Sequence, residues 1–153
     1  MDEEELESIV KNIVEQAKAL KDRHTNEGRA PVNYSCIFSY TSEEYSELVE
    51  ACGRIGTIVE STPTGPLFNI RKMATAAGPL RLLKVRVPDK TRSERGDADF
   101  TVGDYNAFKK ECLARKGFKL IIREKMEMVE LMEDGCEVRA YFSNPTLERI
   151  LGI

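Results

Sequence analysis

Residues 32–88 and 97–142 read as the same series of elements written twice, and this constrains the fold more than anything else in the chain. The first series opens with Val32-Asn-Tyr-Ser-Cys-Ile-Phe-Ser-Tyr40, an alternating run of aromatic and β-branched residues that predicts a strand. Thr41-Ser42-Glu43-Glu44 supplies capping hydroxyls and first-turn acids for a helix through Tyr45, Leu48, Val49 and Cys52, ending at Gly53 or Gly56. Short strands follow at Thr57–Glu60 and Leu67–Ile70, on either side of the turn chemistry of Thr62-Pro63-Thr-Gly65-Pro66. Residues 71–79 read as a loop, and Leu80–Val87, stopped by Pro88, as the closing strand. The second series repeats that order. Asp97–Val102 is a strand and Asp104 caps a helix through Tyr105, Phe108, Cys112 and Leu113 that ends at Gly117. Phe118–Arg123, Met126–Leu131 and Cys136–Phe142 are strands, the last preceded by the hairpin signal Asp134-Gly135.

The helices carry the register of the duplication. Tyr45-x-x-Leu48-x-x-x-Cys52 lies sixty residues before Tyr105-x-x-Phe108-x-x-x-Cys112, and Tyr40 and Phe100 each stand five residues before the helix tyrosine. Residues 89–96, charged and free of large apolar side chains, then form the connector between two equal modules. An extra helix precedes them: Leu6, Ile9, Val10, Ile13, Val14, Ala17 and Leu20 fall on one stripe over residues 3 to about 22. That stripe predicts docking on the chain's own core, with dimerisation as the alternative. Asn144-Pro145 is expected to open a short C-terminal helix with proline at its first position.

The expected fold is therefore α+β. It is one domain over residues 1–153: an N-terminal helix (1–28), two tandem βαβββ modules (32–88 and 97–142) forming a curled mixed sheet around a cup, and a tail (143–153). A chain of 153 residues is long enough to bury a core without staples. Tandem βαβββ modules resemble the vicinal oxygen chelate fold of glyoxalases, bleomycin- and fosfomycin-resistance proteins and extradiol dioxygenases. The likeness is architectural and covers roughly residues 32–142; its nearest local expression is Asp97-Ala-Asp-Phe-Thr-Val-Gly-Asp104, where a module's first strand runs into its helix.

The resemblance implies a cup that holds a substrate, with a metal in its metal-dependent members. Their ligands come from the strands that open and close each module, which here offers Ser35, Lys84 or Arg86, Asp97, and Glu137 or Arg139. Only Asp97 and Glu137 are plausible ligands, and Asp99 is the one further carboxylate available to a divalent hard cation. The chain's single histidine, His24, rules out a two-His-one-carboxylate centre. No cofactor is expected.

Alternation assigns faces to the strands. Tyr34, Cys36, Phe38 and Tyr40, with Ala98, Phe100, Val102, Leu83, Val85, Val138, Ala140 and Phe142, are expected beneath the helices. Asn33, Ser35, Ile37 and Ser39 are expected on the concave side, with Asp97, Asp99, Lys84, Arg86, Glu137, Arg139 and Tyr141. The candidate ligand-binding residues are accordingly Lys84, Arg86, Asp97, Asp99, Arg139 and Tyr141. Arginine forks suit a carboxylate or phosphate, and Tyr141 suits a ring.

Several chemistries have no support. Gly53-x-x-Gly56 lacks the spacing and the lysine-serine of a P-loop. The four cysteines stand far apart with no C-x-x-C pair, so neither a zinc site nor a disulfide framework is indicated. Net charge −3, from 26 acidic and 23 basic residues, gives no electrostatic footprint for nucleic acid. No apolar run approaches the ~20 residues that span a bilayer. The acidic Asp2–Glu5 is unlike a secretory leader, and a cytoplasmic protein with reduced thiols is expected. The function expected first is binding of a small, anionic molecule in the polar cup. A metal-dependent lyase or isomerase of vicinal oxygen chelate type is second, and an interaction module using the N-terminal helix, with a homodimer as one outcome, is third.

Overall fold

The computed structural model describes all 153 residues. Helix α1 (Glu3–His24) leads into β1 (Val32–Phe38), α2 (Ser42–Ile55), β2 (Gly56–Thr62), β3 (Gly65–Thr75) and β4 (Gly78–Arg86). The second half comprises β5 (Gly96–Phe100), α3 (Tyr105–Cys112), β6 (Phe118–Ile122), β7 (Glu127–Leu131), β8 (Val138–Asn144) and α4 (Leu147–Leu151). One open eight-stranded sheet runs β2-β3-β4-β1-β5-β8-β7-β6. Both halves have the order strand, helix, three strands, and the sheet reads the same inward from either edge. The opening strands meet antiparallel at the centre, each paired on its other side in parallel with the closing strand of its own half. This is the expected α+β architecture of two βαβββ modules and an added helix.

Helix α1 turns its stripe to the core: Leu6, Val10, Ile13, Val14, Ala17 and Leu20 are fully buried, and Ile9 packs half-buried against them. It packs on β8, β1 and β5 on the same side of the sheet as α2. The side chains that a dimerisation helix would present are therefore already in use within the chain. Lys21, at the end of the stripe, is also fully buried; its ammonium reaches Asp22 and the Glu27 carbonyl and lies 5.2 Å from the centre of the Phe100 ring. His24 bonds Glu133 on the β7–β8 connection at 2.7 Å, which ties the helix end to the second module.

The helix ends follow local chemistry. Asp2, Thr41, Asp104 and Thr146 each accept a backbone N–H of the first turn. Thr41→Ala is expected to cost about 1 kcal/mol, the usual worth of such a cap, read as a lower urea midpoint with an unchanged slope.

Among the boundaries that differ from the sequence reading, three change an element's extent or type. Residues 71–75 are strand, not loop: β3 continues to Thr75 and turns tightly into β4, where the Thr75 hydroxyl donates to the Gly78 carbonyl. A register shift between Asn69 and Met73 interrupts the alternation there, which hid the strand. Helix α3 stops at Cys112 instead of continuing to Gly117. At the C-terminus the Asn144–Pro145 peptide is cis, and the helix starts later, at Leu147 behind Thr146.

One correction alters the cup. Val32 pairs with Phe100 but Tyr34 pairs with Asp99, so Asn33 and Tyr34 together oppose a single residue. Beyond this bulge the side-chain phase is reversed. Cys36 stands opposite Asp97, putting Tyr34, Cys36 and Phe38 on the concave face, while Ile37 joins the core beneath the helices. The faces assigned to β4, β5 and β8 are as expected, with Leu83, Val85, Ala98, Phe100, Val138, Ala140 and Phe142 in the core.

Candidate functional site

The cup holds a cavity of about 160 Å³ over the second module. Its floor is Asp97 and Asp99 of β5, flanked by Tyr34 of β1 and Tyr141 of β8. The pairing Tyr34–Asp99–Tyr141 crosses three adjacent strands, and Cys36–Asp97–Arg139 forms the next row. Arg86 and Arg92 form one wall, and Arg123 is at the rim. The facing wall is apolar: Ile121, Met126 and Met128 from the β6–β7 hairpin, and Leu147 from α4.

The two aspartates have different surroundings. Asp99 accepts the Ser143 backbone N–H at 3.1 Å and lies 3.4 Å from the Asn33 amide nitrogen. Burial raises its pKa to about 6, although the bonds from Ser143 and Asn33 oppose the rise. Asp97 is only 7% exposed, and its Oδ1 has no hydrogen-bond partner. Burial, followed by the charge of Asp99, pushes it to about 7, against the pull of Arg92, Lys84 and Arg139. Near neutral pH Asp97 thus exists in both protonation states.

The arginines also differ. Arg86 reaches Asp89 only at 3.5 Å, and its Nε is buried without a partner. Arg92 sits 5.5 Å from the Phe38 ring centre and 3.7 Å from Asp89. Both retain donors for a further acceptor. Arg139 is instead committed, bonding Glu94 at 3.0 Å and Glu130 at 3.4 Å, with all three side chains largely buried. Burial opposes its charge, but Glu94 and Tyr141 together outweigh it and hold the guanidinium even more firmly protonated than usual. Tyr141 donates to Glu130 at 2.7 Å, completing a closed network beside the cavity.

Of the expected ligand-binding residues, the structure brings Arg86, Asp97, Asp99 and Tyr141 to one cavity. Lys84 lies on the concave face but outside the cavity walls, donating to Thr64 at 2.5 Å, and burial lowers its affinity for the proton. Arg139 lies outside the cavity walls, with its two terminal nitrogens paired to Glu94 and Glu130. Glu137, the second candidate metal ligand, precedes β8; it is exposed and its carboxylate belongs to a surface hollow with Ser93 and Glu94. Asp97 and Glu137 therefore open onto different hollows. Nowhere in the chain do three His, Cys, Asp or Glu side chains converge as a metal site needs.

The cavity also uses residues that the strand faces did not suggest: Tyr34, Arg92, Arg123 and the hairpin side chains. Tyr34 was hidden by the bulge and Arg92 by its place in a connector. Alternation along Met126-Glu-Met128 was the available signal for the hairpin wall.

No helix is long and apolar enough to cross a membrane. No family model matches the chain, and neither does any curated protein. A solved structure described as Structural Genomics, Protein EC4020 is similar to it with a TM-score of 0.75, over 99% of this chain and 93% of that one. Sequence identity is 14%, so the likeness establishes a shared fold and no more.

Proposed function

We propose that the protein binds a small anionic molecule in the cavity between β5, the β6–β7 hairpin and the connector that carries Arg92. The observation behind this reading is the pair of charged side chains on its walls without a firm partner: Arg86 meets Asp89 only at 3.5 Å, and the buried Asp97 Oδ1 accepts no hydrogen bond. Buried polar groups in native proteins are satisfied in the great majority of cases. A donor and an acceptor side chain left over on one small cavity fit a ligand that supplies both complements. The ligand's anionic end lies against Arg86 and Arg92, and a hydroxyl or ammonium group lies against the Asp97 carboxylate. Its apolar part rests on Met126, Met128 and Leu147.

The size supports a small ligand. A cavity of about 150 Å³ accommodates benzene, so the space here suits six or seven non-hydrogen atoms, well below the usual drug-sized pocket. The arrangement is also that of a vicinal oxygen chelate protein, a reading supported by the sheet order with the two modules joined through their opening strands. The metal-dependent alternative is less well supported, since Glu137 lines a different hollow from Asp97.

Short-chain carboxylates are expected to raise the melting temperature of the wild type in a saturable manner, and Arg86→Ala to abolish that shift while the apo protein keeps its own melting temperature within a few degrees. Equal shifts in wild type and variant would remove Arg86 from the site and with it this reading.

A further inference from the structure

We propose that the cavity is a proton-transfer site for small 2-oxo acids, in which Asp97 is the base and Arg86 holds the oxygen that becomes an enolate. The inference rests on the binding reading above and extends it from occupancy to chemistry.

The contrast between the two aspartates is the starting point. They stand two residues apart on one strand and line the same cavity, yet Asp99 is fixed by Ser143 and Asn33, whereas Asp97 keeps Oδ1 free at 7% exposure. A carboxylate required only for structure is normally satisfied by its neighbours, as Asp99 is. An unsatisfied one facing a cavity can accept a proton from whatever occupies that space. Burial, reinforced by Asp99, gives Asp97 a pKa of about 7, within the range where a general base works best at neutral pH.

The remaining walls fit the rest of the step. Arg92 carries a guanidinium held only weakly by Asp89 at 3.7 Å, suited to the substrate's permanent carboxylate. Arg86 offers a guanidinium that Asp89 holds only at 3.5 Å, and a donor of this kind is strongest where charge develops during the reaction. With the 2-oxo group against Arg86, the Asp97 carboxylate removes a proton from C3. The C3–H bond breaks, an O–H bond forms on Asp97, and the electron pair moves through the new C2–C3 double bond onto the C2 oxygen. Arg86 balances the enolate charge. Return of the proton to C3 restores the oxo acid, so the step needs no oxidant, reductant or second substrate. Pyruvate has six non-hydrogen atoms and 2-oxobutanoate seven, and both match the volume argued above.

The test is exchange into heavy water. Pyruvate and 2-oxobutanoate are incubated separately with the full-length protein in D₂O, and loss of the C3 proton signal is followed by NMR, with melting shifts recorded in parallel. The wild type is expected to speed exchange at least tenfold over buffer, with saturation. Asp97→Asn is expected to lose the exchange and keep the melting shift, because the amide preserves shape but cannot take the proton; Arg86→Ala is expected to lose both. Melting shifts without exchange would overturn the proton-transfer role and leave the binding site standing. Exchange undiminished in Asp97→Asn would also overturn it, by assigning the base elsewhere. Neither a shift nor exchange with either acid would overturn this inference together with its substrate class.

Discussion

Arg139→Ala should be among the most damaging single substitutions in the chain, lowering stability by about 3–5 kcal/mol. The guanidinium lies between Glu94 and Glu130, with Arg139 and Glu94 each 12% exposed and Glu130 less so. Its removal leaves two poorly hydrated carboxylates close together, and a buried charge that loses its partner is costly in a way that an exposed one is not. Tyr141 is affected as well, because its hydroxyl donates to the same Glu130 oxygen that Arg139 approaches. For a domain of this size the loss corresponds to a melting temperature lower by about 10 °C. Glu130→Gln in the Arg139→Ala background should recover part of it, since one of the stranded charges is removed. Thermal unfolding of the three proteins checks this. An Arg139→Ala protein that melts with the wild type would show that the network contributes nothing.

That expectation reverses the role assigned to Arg139 by strand alternation alone. Alternation placed the side chain on the concave face, where it lies, but could not show what else reaches that place. Glu94 comes from the connector, whose charged residues gave no register, and Glu130 comes from a strand paired across β8. Long-range partners of this kind decide whether an arginine is free to bind a ligand. Arg86, similar to Arg139 in sequence setting, faces only Asp89 at the edge of hydrogen-bonding distance and so is the less firmly held of the two.

The legible parts of the fold were those where one face of a strand is polar. In Asp97-Ala-Asp-Phe-Thr-Val102 charge and hydrophobe alternate cleanly, and Asp97, Asp99, Ala98 and Phe100 all lie where that pattern puts them. The element order of both modules was legible for a similar reason, because turn chemistry and helix caps separate the periodic runs. Strand β1 was not. It is central and buried on both faces, so hydrophobicity carries little information about its phase. A single extra residue at Asn33 then exchanges the faces, and with them Tyr34 and Ile37. Glu137 failed for a different reason: β8 begins one residue after it, so strand alternation did not apply at that position.

Asp97→Asn should stabilise the protein at alkaline pH, an unusual outcome for a substitution in a buried polar position. The carboxyl has an ordinary value of 3.8 and is raised to about 7 in the fold, by burial first and by Asp99 second. Because the folded-state value is the higher one, the contribution of this group to stability is complete below about pH 4. It is lost as the pH rises through 7, where the folded protein is also forced to ionise. Three units of displacement set a ceiling of about 4 kcal/mol on that loss. An asparagine carries no charge at any pH and escapes it. The variant and the wild type should therefore melt close together at pH 4 and diverge up to pH 8, with the variant higher; the slope it retains, between about pH 4 and 6, belongs to Asp99. A difference that does not change with pH would show that Asp97 has no raised pKa in the folded protein. The same cost gives the site its chemical character, since a ligand that hydrogen-bonds the Asp97 carboxyl removes part of that penalty. Asp97 is thus least favourable to folding under the conditions in which a proton-accepting carboxylate is of most use in the cavity.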